Sequence, residues 1–340
     1  MSHRFLASII ALAAMICPVS LPLPLQGQNR PSSLTPAKAW TPPKTPSGDP
    51  DLEGIWTTTT TASFERPAQF GNRLFLTDEE YAQAERQLGR QLEADGQETA
   101  SPDARPTAGP PAHWTERADR VSRQTSLVVE PADGRVPVTA AAEAKRDHDL
   151  AYIDSWEYMS PWDRCITRGM PAGMFPGGYG NVYEIVQASG YVAIVSEMIH
   201  ETRIIPTNGQ PHPNIRQWNG DSTGRWEGNT LVVETTNYNN KGWIATNVAS
   251  GRIKGIPQSE ALRVIERFTR LDADTIQYEV TIDDPNVYTR PWKVSFPFSR
   301  DPKGQMFEYA CHEGNYAMSN ILSGARAEER AAAEAARQQK

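Results

Sequence analysis

Two residues of this sequence combine an ionisable side chain with an apolar strand face. In Tyr191–Ile205 the even positions Val192, Ile194, Met198, His200 and Ile204 share one face, interrupted by Ser196, while Glu197, Glu201 and Arg203 fall on the wetter odd face. His200 is therefore expected to point inward. In Leu262–Arg270, Leu262, Val264, Glu266 and Phe268 share a face and Arg263, Arg267 and Thr269 lie opposite, which sets a carboxylate among apolar neighbours. Such burial raises a carboxyl pKa toward the range a general acid or base needs near neutral pH. The plainer alternative for each is a satisfied core polar group, with an arginine such as Arg225 pairing with Glu266, or a bulge that reverses the parity.

His312-Glu313 directly follows Cys311, and His212 lies in Pro211-His212-Pro213. With His200 these are three histidines on separate segments, able to hold zinc or iron if they converge. Neither an H-E-x-x-H helix nor an H-x-H strand pair accompanies them, so a metal-free pair of histidine and carboxylate is preferred and no cofactor is expected. The candidate catalytic set is His200, Glu266 and His312. For the substrate the candidates are Asp221, Arg225 and Trp226: Arg225 can clamp a carboxylate or phenolate, and Trp226 can stack on a ring. The alternative is an Asx-type turn at Gly220-Asp221-Ser222 with Trp226 in the core. Nucleotide chemistry is excluded, because no P-loop, GxSxG elbow, CxxCH site or strand-to-helix GxGxxG is present. Gly177-Gly178-Tyr179-Gly180 leads into a strand rather than a helix N-terminus.

These residues need a scaffold and a compartment. His3 and Arg4 precede Phe5–Cys17, an apolar run of 13 residues ended by Pro18. A spanning helix needs roughly 20 such residues, so the run reads as the core of a signal peptide, with cleavage near Gly27 and a periplasmic or extracellular destination. A lipidated Cys17 or an uncleaved anchor are the alternatives. Export leaves two cysteines, Cys165 and Cys311, which in an oxidising compartment are expected to form one disulfide, two buried thiols being the alternative. A net charge of −7 argues against nucleic acid or a membrane surface as partner. The expected partner is a small molecule, without stable membrane insertion.

Residues 28–50 form a proline-rich linker, Pro31, Pro36, Pro42, Pro43, Pro46 and Pro50 among Ser, Thr and Lys. Residues 51–325 read as a single β-rich domain with a helical insertion at 77–165. There, a Thr77–Glu80 capping box starts a helix to about Glu93, residues 94–116 form a loop, Asp133-Gly134 is a hairpin turn between 125–130 and 135–138, and an alanine-rich helix covers Ala140–Leu150. Strands are expected at Asn181–Gln187, Tyr191–Ile205, Thr230–Asn237, Leu262–Leu271, Thr275–Asp283 and Thr289–Phe298. Short turns between them imply an antiparallel meander, and a meander of this length closes or folds on itself. Trp292, Val294, Phe296 and Phe298 share its inner face. Residues 326–340 read as a helical or frayed tail.

Gly54-Ile55-Trp56 is similar to the strand-opening GxW motif of lipocalin-like calycin barrels. The fold class is accordingly mainly β, a meander closing into a calycin-like barrel through the Gly54–Trp56 strand, with peripheral helices. GDSTGRWEGNTLVVET (Gly220–Thr235), IERFT (Ile265–Thr269), YTRPW (Tyr288–Trp292) and EYACHEGNY (Glu308–Tyr316) resemble blocks of a large family of secreted bacterial proteins without assigned function. With Gly48–Trp56, this resemblance covers roughly residues 48–325. It implies a secreted β-rich protein and transfers no catalytic residue. Two functions follow as expectations: a cofactor-independent acid–base enzyme (hydrolase, lyase or isomerase) acting on a partly apolar small molecule, or a non-catalytic periplasmic carrier. A His-ligated metal-dependent enzyme is the further alternative. An inward His and Glu favour the enzyme, since each is costly to bury without a use.

Overall fold

Strict alternation of apolar and polar residues along the C-terminal half produces strands buried on one face. The clearest case is Thr275–Asp283, where every second residue from Ile276 to Ile282 is fully buried. The computed structural model describes residues 40–100, 115–152, 155–246 and 248–338, so the expected signal peptide lies outside the described residues. Residues Thr41–Lys340 form one unit.

Among the described residues ten strands make a single antiparallel sheet. They are β1 (Gly54–Thr57), β2 (Val128–Glu130), β3 (Val182–Ala188), β4 (Tyr191–Ser196), β5 (Thr202–Pro206), β6 (Asp221–Glu227), β7 (Thr230–Thr236), β8 (Arg263–Arg270), β9 (Thr275–Asp283) and β10 (Trp292–Arg300). Their order is β5-β4-β3-β1-β10-β9-β8-β7-β6, with β2 paired to β10 beside that path. The expected closure through Gly54–Trp56 is present, since β1 joins the β3–β5 meander to β10. The sheet curls into a nearly closed barrel. Its two edges, β5 and β6, are consecutive in sequence, and among the described residues no strand pairs one with the other. They still approach closely: Arg203 Nε donates to Ser222 Oγ at 2.9 Å, and a Cβ on Gly224 would lie 2.9 Å from Ile205 Cγ2.

Aromatic rings fill the interior. Trp56, Tyr183, Phe268, Tyr278, Phe296 and Phe298 are fully buried, and the Tyr278 ring lies 4.9 Å from Phe268 and 5.2 Å from both Phe296 and Phe298. Each such side chain contributes about 1.5–3 kcal/mol by leaving water. Phe175 enters from the segment before β3 and meets Phe64 and Phe296. Among the described residues three α-helices lie at the periphery: α1 (Asp78–Ala100), α2 (Ala140–Ala151) and α3 (Ala317–Gln338). The capping box at Thr77 forms as expected, with Glu80 N–H donating to Thr77 Oγ1 and Thr77 N–H to the Glu80 carboxylate. Cys165 and Cys311 form the expected disulfide, their Cα atoms 5.7 Å apart.

Several expectations need correction. The helix begun at Thr77 runs past Glu93 to Ala100, tolerating Gly96, so the loop expected from residue 94 starts as helix. No hairpin forms around Asp133-Gly134, because 128–130 finds a partner in β10 instead. No strand is expected between Tyr191–Ile205 and Thr230–Asn237, yet Asp221–Glu227 forms β6. The proline-rich stretch before β1 closes on itself at its end, Asp51 N–H donating to Pro43 O. The largest correction concerns Tyr191–Ile205, which is two strands, β4 and β5, folded back on each other.

Candidate functional site

The turn between β4 and β5 decides which side chains enter the barrel. Ser196 N–H donates to Glu201 O and His200 N–H to Glu197 O, while Ile199 (φ 60°) and His200 (φ 42°) take left-handed backbone conformations. Such conformations are unfavourable for residues other than glycine, above all for a β-branched one. Burial of Met198 and Ile199 offsets the cost. Beyond the turn the parity reverses: Ile205 is fully buried and Ile204 is 55% exposed. Arg203 and Glu201, expected on the wet face, therefore point in. His200 is exposed, its Nδ1 3.1 Å from Tyr309 O.

Glu266 sits where its parity placed it, on β8 with no exposure at all. Its partner is Arg203 and not Arg225. Arg203 Nη1 donates to Glu266 Oε1 at 2.9 Å and Nη2 to Oε2, and Tyr278 Oη donates to Oε1 at 2.9 Å. The remaining Arg203 donors reach Ser222 Oγ, Thr235 Oγ1 and the sulfur of Met170. All five N–H groups are thus engaged inside the protein. Burial works against the Arg203 charge, but Glu266 outweighs it and holds the guanidinium above its ordinary pKa. The same burial, reinforced by Glu266, keeps the Tyr278 phenol protonated far above its usual range. This is a closed, satisfied ion pair with no hydrogen-bonding capacity left for a ligand anion.

A cleft of about 620 Å³ opens at the seam above this pair. One wall is the 166–174 segment, another β5 with Ile194 and Ser196 of β4, and the third the 216–222 segment leading into β6. Met170, Met174, Ile194 and Tyr183 make it partly apolar; Glu201, Asn219 and Asp221 supply acceptors. Two glycines allow the walls to approach. Gly169 (φ 86°) lets the backbone turn where a Cβ would meet Trp243 O at 2.9 Å, and Gly220 (φ 67°) where it would meet Thr236 O at 2.5 Å.

Glu201 is the carboxylate of this cleft. Thr167 Oγ1 lies 2.9 Å from its Oε1 and 3.1 Å from its Oε2, and Asn219 Nδ2 donates to Oε1. Burial pushes its pKa up, and hydrogen bonds from Thr167, Asn219 and the Arg168 amide draw it only part of the way back. Sequence reasoning missed Glu201. The available signals were Ser196 on an otherwise apolar face and a run of fifteen residues, longer than strands usually are.

The other expected site residues are placed as follows. His312 is exposed in an irregular turn after the disulfide, beyond β10, which ends at Arg300. His200, Glu266 and His312 therefore do not share the cleft. Arg225 lies on the outer face of β6, bonded to Glu227, which also accepts from Arg267; it does not reach the cleft. Trp226 is half-buried against the core. Asp221 lines the cleft and fastens its rim, Oδ2 lying 2.7 Å from His212 Nδ1, while His212 Nε2 is 3.1 Å from Thr223 Oγ1. Neither His212 nor Thr223 lines the cleft, so this Asp–His–hydroxyl array pins the β5–β6 loop to β6. Among the described residues no three His, Cys, Asp or Glu side chains gather as a metal site.

A second cleft, of about 780 Å³, lies between α1 and segments 60–64 and 115–125. Its carboxylates are engaged: Glu116 accepts from the Gly180 and Asn181 amides, and Glu80 from Arg73. Compared with known proteins, the chain matches no family model, no curated protein and no solved structure.

Proposed function

We propose that this is an exported small-molecule-binding barrel protein whose ligand occupies the cleft at the β5–β6 seam. One observation carries the reading: the interior is filled by rings, whereas the seam holds an open, partly apolar cavity with a half-buried carboxylate on its wall. That mixture of apolar lining and a few polar groups is what small-ligand sites present. The disulfide supports an oxidising compartment, and the apolar run at Phe5–Cys17 and the resemblance to secreted bacterial proteins point the same way. Among the described residues no helix is long and apolar enough to cross a membrane.

A catalytic version of the same reading, acid–base chemistry without a cofactor, rests on Glu201. His200 and His312 lie outside the cleft, Glu266 is closed off by Arg203 and Asp221 is bonded to His212, which leaves Glu201 as the carboxyl able to exchange a proton with a bound molecule. The cleft can be tested with protein carrying 13C-methyl methionine, titrated with small neutral, cationic and anionic aromatic fragments. Binding at the seam moves the Met170 and Met174 methyl signals and leaves Met159 and Met318 unmoved. Fragments that bind without moving Met170 or Met174 place the site elsewhere.

A further inference from the structure

The proton count around Glu201 does not close if its carboxyl is ionised. Thr167 Oγ1 lies within 3.1 Å of three acceptor oxygens: Glu201 Oε1, Glu201 Oε2 and Asn219 Oδ1, the last at 2.9 Å. A hydroxyl has one proton to give. Its two lone pairs are available as well, and one of them accepts from the Gly169 N–H at 3.0 Å. An ionised Glu201 leaves the Thr167–Asn219 or the Thr167–Glu201 contact as two oxygens facing each other without a proton. Turning the Asn219 amide over does not help. Its Nδ2 would then donate to Thr167, but its Oδ1 would face Glu201 Oε1, again oxygen on oxygen.

We infer that Glu201 carries a proton at neutral pH and is the proton donor of the seam cleft, which selects neutral molecules presenting a carbonyl or ether oxygen. With that proton on Oε2, each pair of residues has a proton between its facing atoms, and Oε1 stays 2.9 Å from Thr167 Oγ1 as the second oxygen of the same carboxyl. Glu201 donates to Thr167 Oγ1, Thr167 donates to Asn219 Oδ1, and Asn219 Nδ2 donates to Glu201 Oε1. Burial disfavours the charged form in the same direction.

The surroundings do not supply a counter-charge. Arg203, two residues along β5, is bound to Glu266. Arg168 donates through Nη1 to Gly180 O, and its guanidinium lies over the Trp162 ring. Arg216 reaches Tyr238 O, Glu260 O and the Glu260 carboxylate. Asp221 faces His212, and Tyr183 donates to Gly173 O. Among the described residues no cation lies within ion-pair distance of Glu201.

The inference rests on the seam cleft as the binding site only for its ligand class. A ligand oxygen entering the cleft competes with Thr167 for the Glu201 proton. If transfer follows, the Glu201 O–H bond breaks and an O–H bond forms on the ligand. The Thr167 proton then turns from Asn219 to the new carboxylate, which accepts from Thr167, Asn219 and the Arg168 amide. An ammonium ligand has no such fit, since it meets an acid rather than a carboxylate.

The test needs no ligand at first. Infrared difference spectra of the full chain at pH 7 should show a protonated-carboxyl carbonyl stretch that Glu201→Gln lacks and Glu197→Gln retains. Identical spectra for wild type and Glu201→Gln would overturn the inference. Should Glu201→Gln fail to fold, 13C-glutamate labelling of the wild type reads the same group, and a Glu201 carboxyl carbon at the ionised position at pH 7 overturns it equally. For the ligand class, benzamide should move the Met170 and Met174 methyl signals at several-fold lower concentration than benzylamine; the reverse order contradicts the neutral-ligand assignment. If neither moves them, the binding reading and with it the ligand class fall, while the infrared result decides the proton independently.

Discussion

Two inward-facing glutamates, Glu266 fully buried and Glu201 half-buried, lie on either side of Arg203, and their surroundings give them different chemistry. In the barrel interior Glu266 meets a forked guanidinium and a phenol, so its burial is compensated and its oxygens are closed to anything else. At the seam Glu201 meets a hydroxyl, an amide and a backbone N–H, all of them neutral, and burial drives its pKa upward. Burial alone does not make a carboxyl reactive. A cationic partner turns it into a brace, and its absence beside an open cavity leaves a proton donor.

The comparison breaks most sharply if the brace is cut. Glu266→Gln leaves the Arg203 charge buried and unpaired, with an expected loss of about 3–5 kcal/mol in urea unfolding. A loss too small to measure would mean that the pair contributes nothing to the barrel. Reduction of Cys165–Cys311, which ties the segment running into the cleft wall at Ile166 to the chain after β10, is expected to cost about 2–4 kcal/mol. Hydrogen exchange should then show faster opening at 160–174 than in β8–β10.

Glu201→Gln sharpens the contrast through pH. A carboxyl whose pKa is raised in the folded state contributes stability that is complete below its ordinary value, near 4.5, and is lost as pH rises through the raised value. The variant escapes that loss, so its stability relative to wild type should grow with pH across this window. A constant difference between the two unfolding curves over the same window would say that Glu201 titrates normally. The smallest effect is expected on the outer face, where Arg225→Ala removes a half-exposed pair and should change stability by about 0–1 kcal/mol and fragment binding not at all. A loss of binding on this substitution would return Arg225 to the site.

Much of the barrel was legible because alternation survives folding: Trp292, Val294, Phe296 and Phe298 are buried as their spacing indicates, and Glu266 faces inward with them. The GxW strand took its closing position, and the two cysteines met. The site was legible only up to Glu197. A turn made by Met198, Ile199 and His200 carries no Gly, Pro or Asn to announce it, and its positive φ angles are offset by burial of Met198 and Ile199, which only the folded barrel provides. Parity read through it exchanged Glu201 and Arg203 for His200. Thr167 and Asn219 could not be assigned from the sequence either, since they come from irregular segments brought to Glu201 only by the closed barrel.

Diffraction at atomic resolution, free of bond-length restraints on carboxyl groups, tests the contrast between the two glutamates in a single crystal grown near neutral pH. The expected result is unequal C–O lengths at Glu201, with the longer bond to Oε2, the oxygen that Asn219 does not reach, and equal lengths at Glu266 against Arg203. Equal C–O lengths at Glu201 would contradict the account and leave the seam cleft without its proton donor.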